Sequence, residues 1–307
     1  MWIGWSLALL GTFLFALKSI LIKELYQLGM TVDEVLLWRM LLSAPGYMAV
    51  LAWLLLRSSI TDKALSLNSL SWQGYLSILA LGFIGYFLAS WLDLAGLQYI
   101  SAQLERLTLF TYPIIISLLA AVFLNEPMTR QKWLALGLTY SGIWLLYWQE
   151  LQWSASSNTT KGLLLVFASA CSYSLYVILA KGWILRLGSL AFTSLAMLAS
   201  SIFVVVYYFS LGNSLRLPEL NAWWWLLALA WLSTFAPSFM ITAAIGRIGA
   251  SSTAILGSAG PVMTMILAVW WLAEPSSAMH ILATLLVLLG VALVGKGRQS
   301  GKNPSSD

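Results

Sequence analysis

Ten long apolar stretches follow one another through this chain with little polar sequence between them. They fall at about residues 3–22, 33–56, 73–97, 101–124, 131–148, 162–181, 189–211, 222–245, 250–272 and 277–295. A helix needs about 20 mostly apolar residues to cross the hydrocarbon core of a bilayer. In that solvent only structures that satisfy their backbone groups internally can span. A β-barrel would show short alternating segments, whereas "IIISLLAAVFL" and "HILATLLVLLGVALVG" are continuous. The 307 residues are 60% hydrophobic and 9% charged, against about 25% charged in soluble domains. The fold expected is therefore all-α and integral to the membrane, with ten transmembrane helices.

The flanks agree. Trp2, Trp5, Trp72, Trp133, Trp148, Trp153, Trp223 and Trp270 lie near the ends of the stretches, as in the aromatic belts of membrane interfaces. With the N-terminus in the cytoplasm, inside loops hold Arg57, Lys63, Arg130, Lys132, Lys181, Arg186, Arg247, Lys296, Arg298 and Lys302. Outside loops or helix ends hold Lys23, Arg106, Lys161 and Arg216. This is the positive-inside bias. It places both termini in the cytoplasm and explains the net charge of +5 without a nucleic-acid partner. The N-terminus lacks the basic start of a secretory signal and reads as the first span. Cys171 is alone, so it forms no internal disulfide and reads as packing. Asn158 opens a glycosylation sequon, relevant only in a secretory eukaryotic setting.

The chain is also written twice. Pro113 and Pro261, Glu126 and Glu274, Pro127 and Pro275, and Gly142 and Gly290 are each 148 residues apart. A constant offset across paired spans is a sign of duplication. "GWSLALLGTFLFALKSILIKEL" from Gly4 matches "GLLLVFASACSYSLYVILAKGW" from Gly162 more loosely. Five spans per half is an odd number, so the second copy enters the membrane upside down. The expected domains are residues 1–150 and 160–297, two inverted five-helix repeats, with 298–307 as a disordered cytoplasmic tail. Inverted repeats are the common architecture of alternating-access transporters, with the solute near the midplane between halves.

The segment "ISAQLERLTLFTYPIIISLLAAVFLNEPMTRQKWLALGLTYSGIWLL", with "LAEPSSAMHILATLLVLLGVALVG" at the matching place in the second half, resembles EamA-type permeases of the drug/metabolite transporter superfamily. "VDEVLLWRM" resembles that family's second span, with Arg39 at its arginine; "AFTSLAMLAS" has no counterpart to it. The resemblance covers nearly the whole chain. It implies ten spans, a central cavity between the halves and export of metabolites such as amino acids. It also implies peripheral spans 5 and 10, where a second copy could pack as a homodimer.

Ionisable groups inside a membrane are functional suspects. Lys18, Arg39, Asp93, Glu105 and Arg106, from four spans, all lie roughly 6–9 Å below the outer helix ends at 1.5 Å per residue. The second half has no such layer: Tyr176 stands opposite Lys18, and Thr253 and Ala254 opposite Glu105 and Arg106. Helix neighbours point about 100° apart, so Glu105 and Arg106 need separate partners. The expected pairs are Asp93 with Arg106, and Glu105 with Lys18 or Arg39. Lys18 is read equally well as snorkelling to the interface. The five charges form a cavity lining or outer gate, and their sum of +1 favours carboxylate, phosphate or zwitterionic solutes over lipophilic cations. Glu105 and Asp93 are the only acids placed for proton coupling, but pairing to arginines would keep both ionised.

Ser169, Ser172, Tyr173 and Tyr176 share one face of span 6, and Thr234, Ser238 and Thr242 line span 8. The hydroxyls also suit close helix packing; Tyr173 and Tyr176 are the stronger binding candidates. Pro113 and Pro261, with Gly257 and Gly260 beside the latter, either break helices near the site or make tolerated kinks. Glu126-Pro127 and Glu274-Pro275 read as turn chemistry. His280 has no ligating company, so no metal site is expected, and no nucleotide or hydrolase motif calls for a cofactor or catalysis.

The reading is a secondary transporter in a bacterial plasma membrane. Its partners are a small-molecule substrate and the lipid bilayer. A passive channel of the same fold, and a non-transport scaffold or accessory subunit, are the alternatives.

Overall fold

The computed structural model describes residues 2–60, 71–123, 127–153 and 158–300. Among these there are helices and no strands. The order is α1 Trp2–Gln27, α2 Val32–Ile60, α3 Trp72–Gly82, α4 Ala89–Leu97, α5 Ala102–Leu109, α6 Tyr112–Phe123 and α7 Arg130–Trp153. It continues with α8 Thr159–Leu187, α9 Ser189–Ser210, α10 Leu220–Leu227, α11 Ala236–Gly257, α12 Gly260–Trp271 and α13 Ala278–Ser300. Two π-helical segments, Phe83–Leu88 and Ala228–Phe235, join α3 to α4 and α10 to α11. Seven helical stretches are long and apolar enough to cross a membrane, and Gly260–Trp271 and Ala278–Leu293 are shorter apolar helices. The chain is a multi-pass membrane protein.

Local chemistry sets the ends. Thr31 and Glu34 form a capping box at the start of α2: the Thr31 backbone N–H donates to Glu34 Oε2 at 2.9 Å, and the Glu34 N–H to Thr31 Oγ1 at 3.3 Å. Gly29, with φ of 81°, closes α1 in the left-handed conformation that glycine adopts freely. Ser71 and Ser101 cap α3 and α5 through their hydroxyls. Pro113 and Pro261 are each the second residue of a helix, α6 and α12. A proline there costs nothing, because the first-turn N–H groups have no intrahelical partner. The prolines therefore start new helices after breaks at Phe110–Thr111 and Ser258–Ala259, rather than kinking continuous ones.

Several boundaries differ from the sequence reading. α2, α7 and α8 run on to Ile60, Trp153 and Leu187 rather than ending near residues 56, 148 and 181. α1 runs on to Gln27 rather than ending near residue 22, because Lys23 and Tyr26 find carbonyl partners within the protein: Lys23 Nζ donates to Ile100 O at 2.6 Å and Tyr26 Oη to Leu94 O at 2.8 Å. α11 continues through the expected turn at 246–249 as far as Gly257, since nothing in "GRIGASS" forbids helix once tertiary contacts favour it. α13 reaches Ser300, three residues into the expected tail; residues 301–307 lie outside the described residues, as does Glu126.

The main helix contacts run between the sequence halves. α1 packs along α11, α2 along α9, α4 along α8 and α7 along α13. In lipid, packing and interhelical hydrogen bonds drive such association, and small residues permit it. A Cβ on Gly4 would lie 2.5 Å from Ile248 Cγ2, and one on Gly162 would lie 2.7 Å from Ile100 Cγ2. Likewise a Cβ on Gly142 would press on Ala283 and Val287, and one on Gly290 on Ala135 and Thr139. Each contact is the other's mate at an offset of 148 residues for α7, α13, Ile100 and Ile248. Large apolar side chains, such as Trp2, Trp72, Trp224, Trp270 and Leu185, cover the outside.

Candidate functional site

Both π segments border one cavity of about 510 Å³, together with Phe110 at the first helix break and Gly257 just before the second. A π turn carries one residue more than an α turn, so its carbonyls look outward for partners. Ser172 Oγ donates to Ile84 O at 2.7 Å and Ser169 Oγ to Ala89 O at 2.6 Å, fixing α8 against the first π segment. In the second, Thr234 Oγ1 donates to Leu229 O at 2.8 Å. Ser172 thus acts in packing and Ser169 packs at the cavity wall, while Thr234, Ser238 and Thr242 also border the cavity, as do Thr12 and Tyr47 from the first half.

Of the charged layer, Lys18, Arg39, Asp93 and Arg106 line the cavity. Lys18 Nζ donates to Asp93 Oδ2 at 2.6 Å and lies 3.5 Å from Glu105 Oε1. Ser19 Oγ donates to Glu105 Oε2 at 2.6 Å. One ammonium therefore serves two carboxylates. Glu105 turns toward Lys18, one of its two expected partners. The expected Asp93–Arg106 pair is not formed: among the described residues Lys18 holds Asp93 instead. The physical reason is azimuth. The π segment at Phe83–Leu88 rotates α4 relative to a regular helix, and Asp93 Oδ2 meets Lys18 of α1 rather than Arg106 of α5. With its side chain 13% exposed and both contacts made inward, Lys18 does not snorkel to the interface.

Arg106 is left over. Its Nε is buried and has no hydrogen-bond partner among the described residues. Gly260, at the start of α12, makes room for it: a Cβ there would lie 3.0 Å from Arg106 Nη2. Glu105 is fully buried behind Lys18, while the adjacent Arg106 reaches the cavity. Adjacent positions on α5 thus serve opposite sides of the helix wall. Arg39, 7% exposed, donates from Nε to Thr234 Oγ1 at 3.0 Å, joining α2 to the second π segment. Tyr47 Oη donates to Thr234 O at 3.4 Å in the same cluster.

Tyr173 lines the cavity, its ring edge-on to Tyr112 with centroids 5.7 Å apart. Tyr176 lies behind the wall: it packs on Gly85, whose missing side chain admits its ring, and its hydroxyl donates to Tyr86 Oη at 3.0 Å. Tyr86 takes the cavity position. Sequence reading missed Tyr86 and Ser90, although with Asp93 they recur at i, i+4 and i+7, a helical face that was readable. Gly257 borders the cavity, whereas Pro113, Gly260 and Pro261 shape the breaks behind it. His280 serves a local turn, its Nδ1 accepting from the Ser277 N–H at 3.2 Å.

At the far end of α5, Glu274 does more than form a turn. The Ala102 N–H donates to its Oε1 at 2.8 Å and Gln103 Nε2 to its Oε2 at 3.3 Å. From α7, Glu150 accepts from the Ser101 N–H at 2.6 Å and from Ser101 Oγ at 2.7 Å. Both carboxylates sit on the positive end of a helix, where negative charge is stabilising.

The family model described as the EamA-like transporter family matches residues 2–148 and 160–296. The chain is similar to the uncharacterised transporter YcbK of Bacillus subtilis, with 26% identity over 88% of this chain and 86% of that one. It is similar also to the uncharacterised transporter sll1319 of Synechocystis, with 29% identity over 68% of this chain and 64% of the relative. A protein of known crystal structure superposes over 99% of this chain and 98% of its own, with a TM-score of 0.64 and 17% identity, which bears on the fold alone.

Proposed function

With that match the chain belongs to the EamA-like transporter family, and we propose that it is a secondary transporter exporting small polar metabolites such as amino acids by alternating access. The cavity between the halves is the solute site. On this reading ten spans form two inverted five-helix repeats, residues 1–150 and 160–297, in a bacterial plasma membrane with both termini cytoplasmic. Three features support the inverted arrangement: the helix breaks at Phe110–Thr111 and Ser258–Ala259 stand 148 residues apart, both halves carry a π segment, and the glycine contacts exchange partners between halves. A pseudo-two-fold arrangement of this kind lets one half rock against the other around a fixed site.

The single observation that carries the solute assignment is Arg106. It is a guanidinium on a cavity wall, beside the start of α12, with no carboxylate of the protein within salt-bridge distance among the described residues. A guanidinium presents a planar fork of donors that fits a carboxylate bidentately. A solute carboxylate there completes the pairing that the protein leaves open. Thr12, Tyr112 and Thr253 border the same space and offer hydroxyls. Binding is read by thermal shift of the purified protein across a metabolite panel, because a ligand of the native state raises its stability. Amino acids and other small carboxylates should shift wild type and leave Arg106→Gln unmoved. Equal shifts in both, or a response confined to cations without a carboxylate, contradict the assignment.

A further inference from the structure

We propose that Lys18, Asp93 and Glu105 form a proton-exchange site, so that the solute leaves against a returning proton; this rests on the transport reading of the same cavity. Two carboxylates share one ammonium, at 2.6 Å and 3.5 Å, and so lie within the ~6 Å over which like charges act strongly on each other. One lysine neutralises one of them. Asp93 Oδ1 and Glu105 Oε1 are both buried, and neither has a hydrogen-bond partner among the described residues. An ionised carboxylate only accepts; a protonated one donates. One added proton makes the cluster neutral and gives it the donor it lacks.

Among the described residues no second cation forms an ion pair with either carboxylate, although Arg106 and Lys23 act on Glu105, and Arg39 on Asp93, through space. Arg106, on the same helix as Glu105, faces the cavity. Lys23 on α1 is engaged by Ile100 O, and Arg39 on α2 by Thr234. α4 contributes Asp93 itself. Glu150 on α7 and Glu274 beyond α12 are bound to the start of α5, and Lys161 on α8 lies at Tyr99 Oη, at 3.2 Å. α12 brings no charged residue. Tyr26 Oη is committed to Leu94 O.

Glu105 does not line the cavity, so its proton leaves by way of Lys18: the Lys18 ammonium gives a proton to water in the open cavity, takes the proton of Glu105 in its place, and moves its hydrogen bond from Asp93 Oδ2 to Glu105. Asp93, which lines the cavity, then accepts from the ammonium or hydroxyl of the solute while Arg106 takes its carboxylate. On the other face, protonation of Glu105 returns Lys18 to Asp93 and expels the solute. Asp93 is thus a solute-binding residue, and Glu105, which never meets solute, is the proton carrier.

Infrared difference spectroscopy of the full chain in lipid, without solute, tests the proton site directly. The stretch of a protonated carboxyl group should disappear as pH is raised, and should be missing from Glu105→Gln. No titrating band, or the same band in Glu105→Gln, overturns the proposal. Proteoliposomes holding a pH-reporting dye and a mixture of the proteinogenic amino acids supply the second measurement. Wild type should move protons opposite to amino acids, and any flux through Glu105→Gln should ignore the pH gradient. Wild-type flux indifferent to that gradient overturns the coupling. Absence of any flux counts against the transport reading, while the infrared band judges the proton site by itself.

Discussion

At the first-half break, Phe110–Thr111, the preceding helix carries Glu105 and Arg106; at the second-half break, Ser258–Ala259, the matching positions are Thr253 and Ala254. Lys18 on α1 has Tyr176 as its counterpart on α8, and Tyr176 is packed away on Gly85. The halves therefore share a backbone device, a helix interrupted beside a cavity, but only the first half charges it. A duplicated scaffold can keep its geometry while one copy takes over the electrostatics, because the break depends on backbone hydrogen bonding and the charges only on side chains. Function, on this view, is divided: the first half supplies ionic recognition, and the second supplies hydroxyl groups and room.

The largest expected effect is on the first half's cluster. Lys18→Met leaves Asp93 and Glu105 buried together without a cation and should lower stability by about 3–5 kcal/mol, measured by denaturation in detergent. Adding Asp93→Leu and Glu105→Leu should recover much of that loss, since an apolar replacement of a whole buried ionic group is often tolerated. Tyr176→Phe, at the counterpart position, removes one hydroxyl bond and should cost about 1 kcal/mol. If Lys18→Met and Tyr176→Phe prove equal, the asymmetry described above is wrong.

Arg106→Gln should act on binding rather than folding. Solute affinity should fall at least ~30-fold, equivalent to about 2 kcal/mol or more, while thermal stability without solute changes little. This sharpens the contrast with Lys18, whose charge is consumed by the protein itself.

Next come the paired glycines. Gly142→Ala and Gly290→Ala each push a methyl into the facing helix and should destabilise by about 1–3 kcal/mol, to a similar degree, if the two contacts are mates. A cost at one and none at the other breaks the symmetry. The smallest effect expected is Ser169→Ala, about 0.6 kcal/mol, from one interhelical hydrogen bond.

Much of this was legible in the chain. The apolar runs marked the helices, the offset of 148 marked both breaks through Pro113 and Pro261, and the depth of Lys18, Asp93 and Glu105 marked one layer. Depth follows from counting along a helix. Partner choice does not, because it depends on the angle each helix presents to its neighbours. The π segment before Asp93 changed that angle without any distinct residue pattern in "FIGYFL", so Asp93 went to Lys18 and Arg106 stayed open. The same limit hid the role of Glu274: its place at a turn was readable, but its grip on the start of α5, distant in sequence, was not.

The most direct measurement of alternating access uses Thr242→Cys, a cavity position, in a Cys171→Ser background, labelled from either face of oriented vesicles. A second pair, Gln103→Cys with Glu274→Cys, replaces the contact at the end of α5 with an oxidisable link. Two halves rocking around one cavity predict that the thiol at 242 reacts from both faces before oxidation, and that oxidation abolishes labelling from the face of the link while raising it from the other. Labelling that persists from both faces after the link closes, or that never occurs from one of them, would contradict the account.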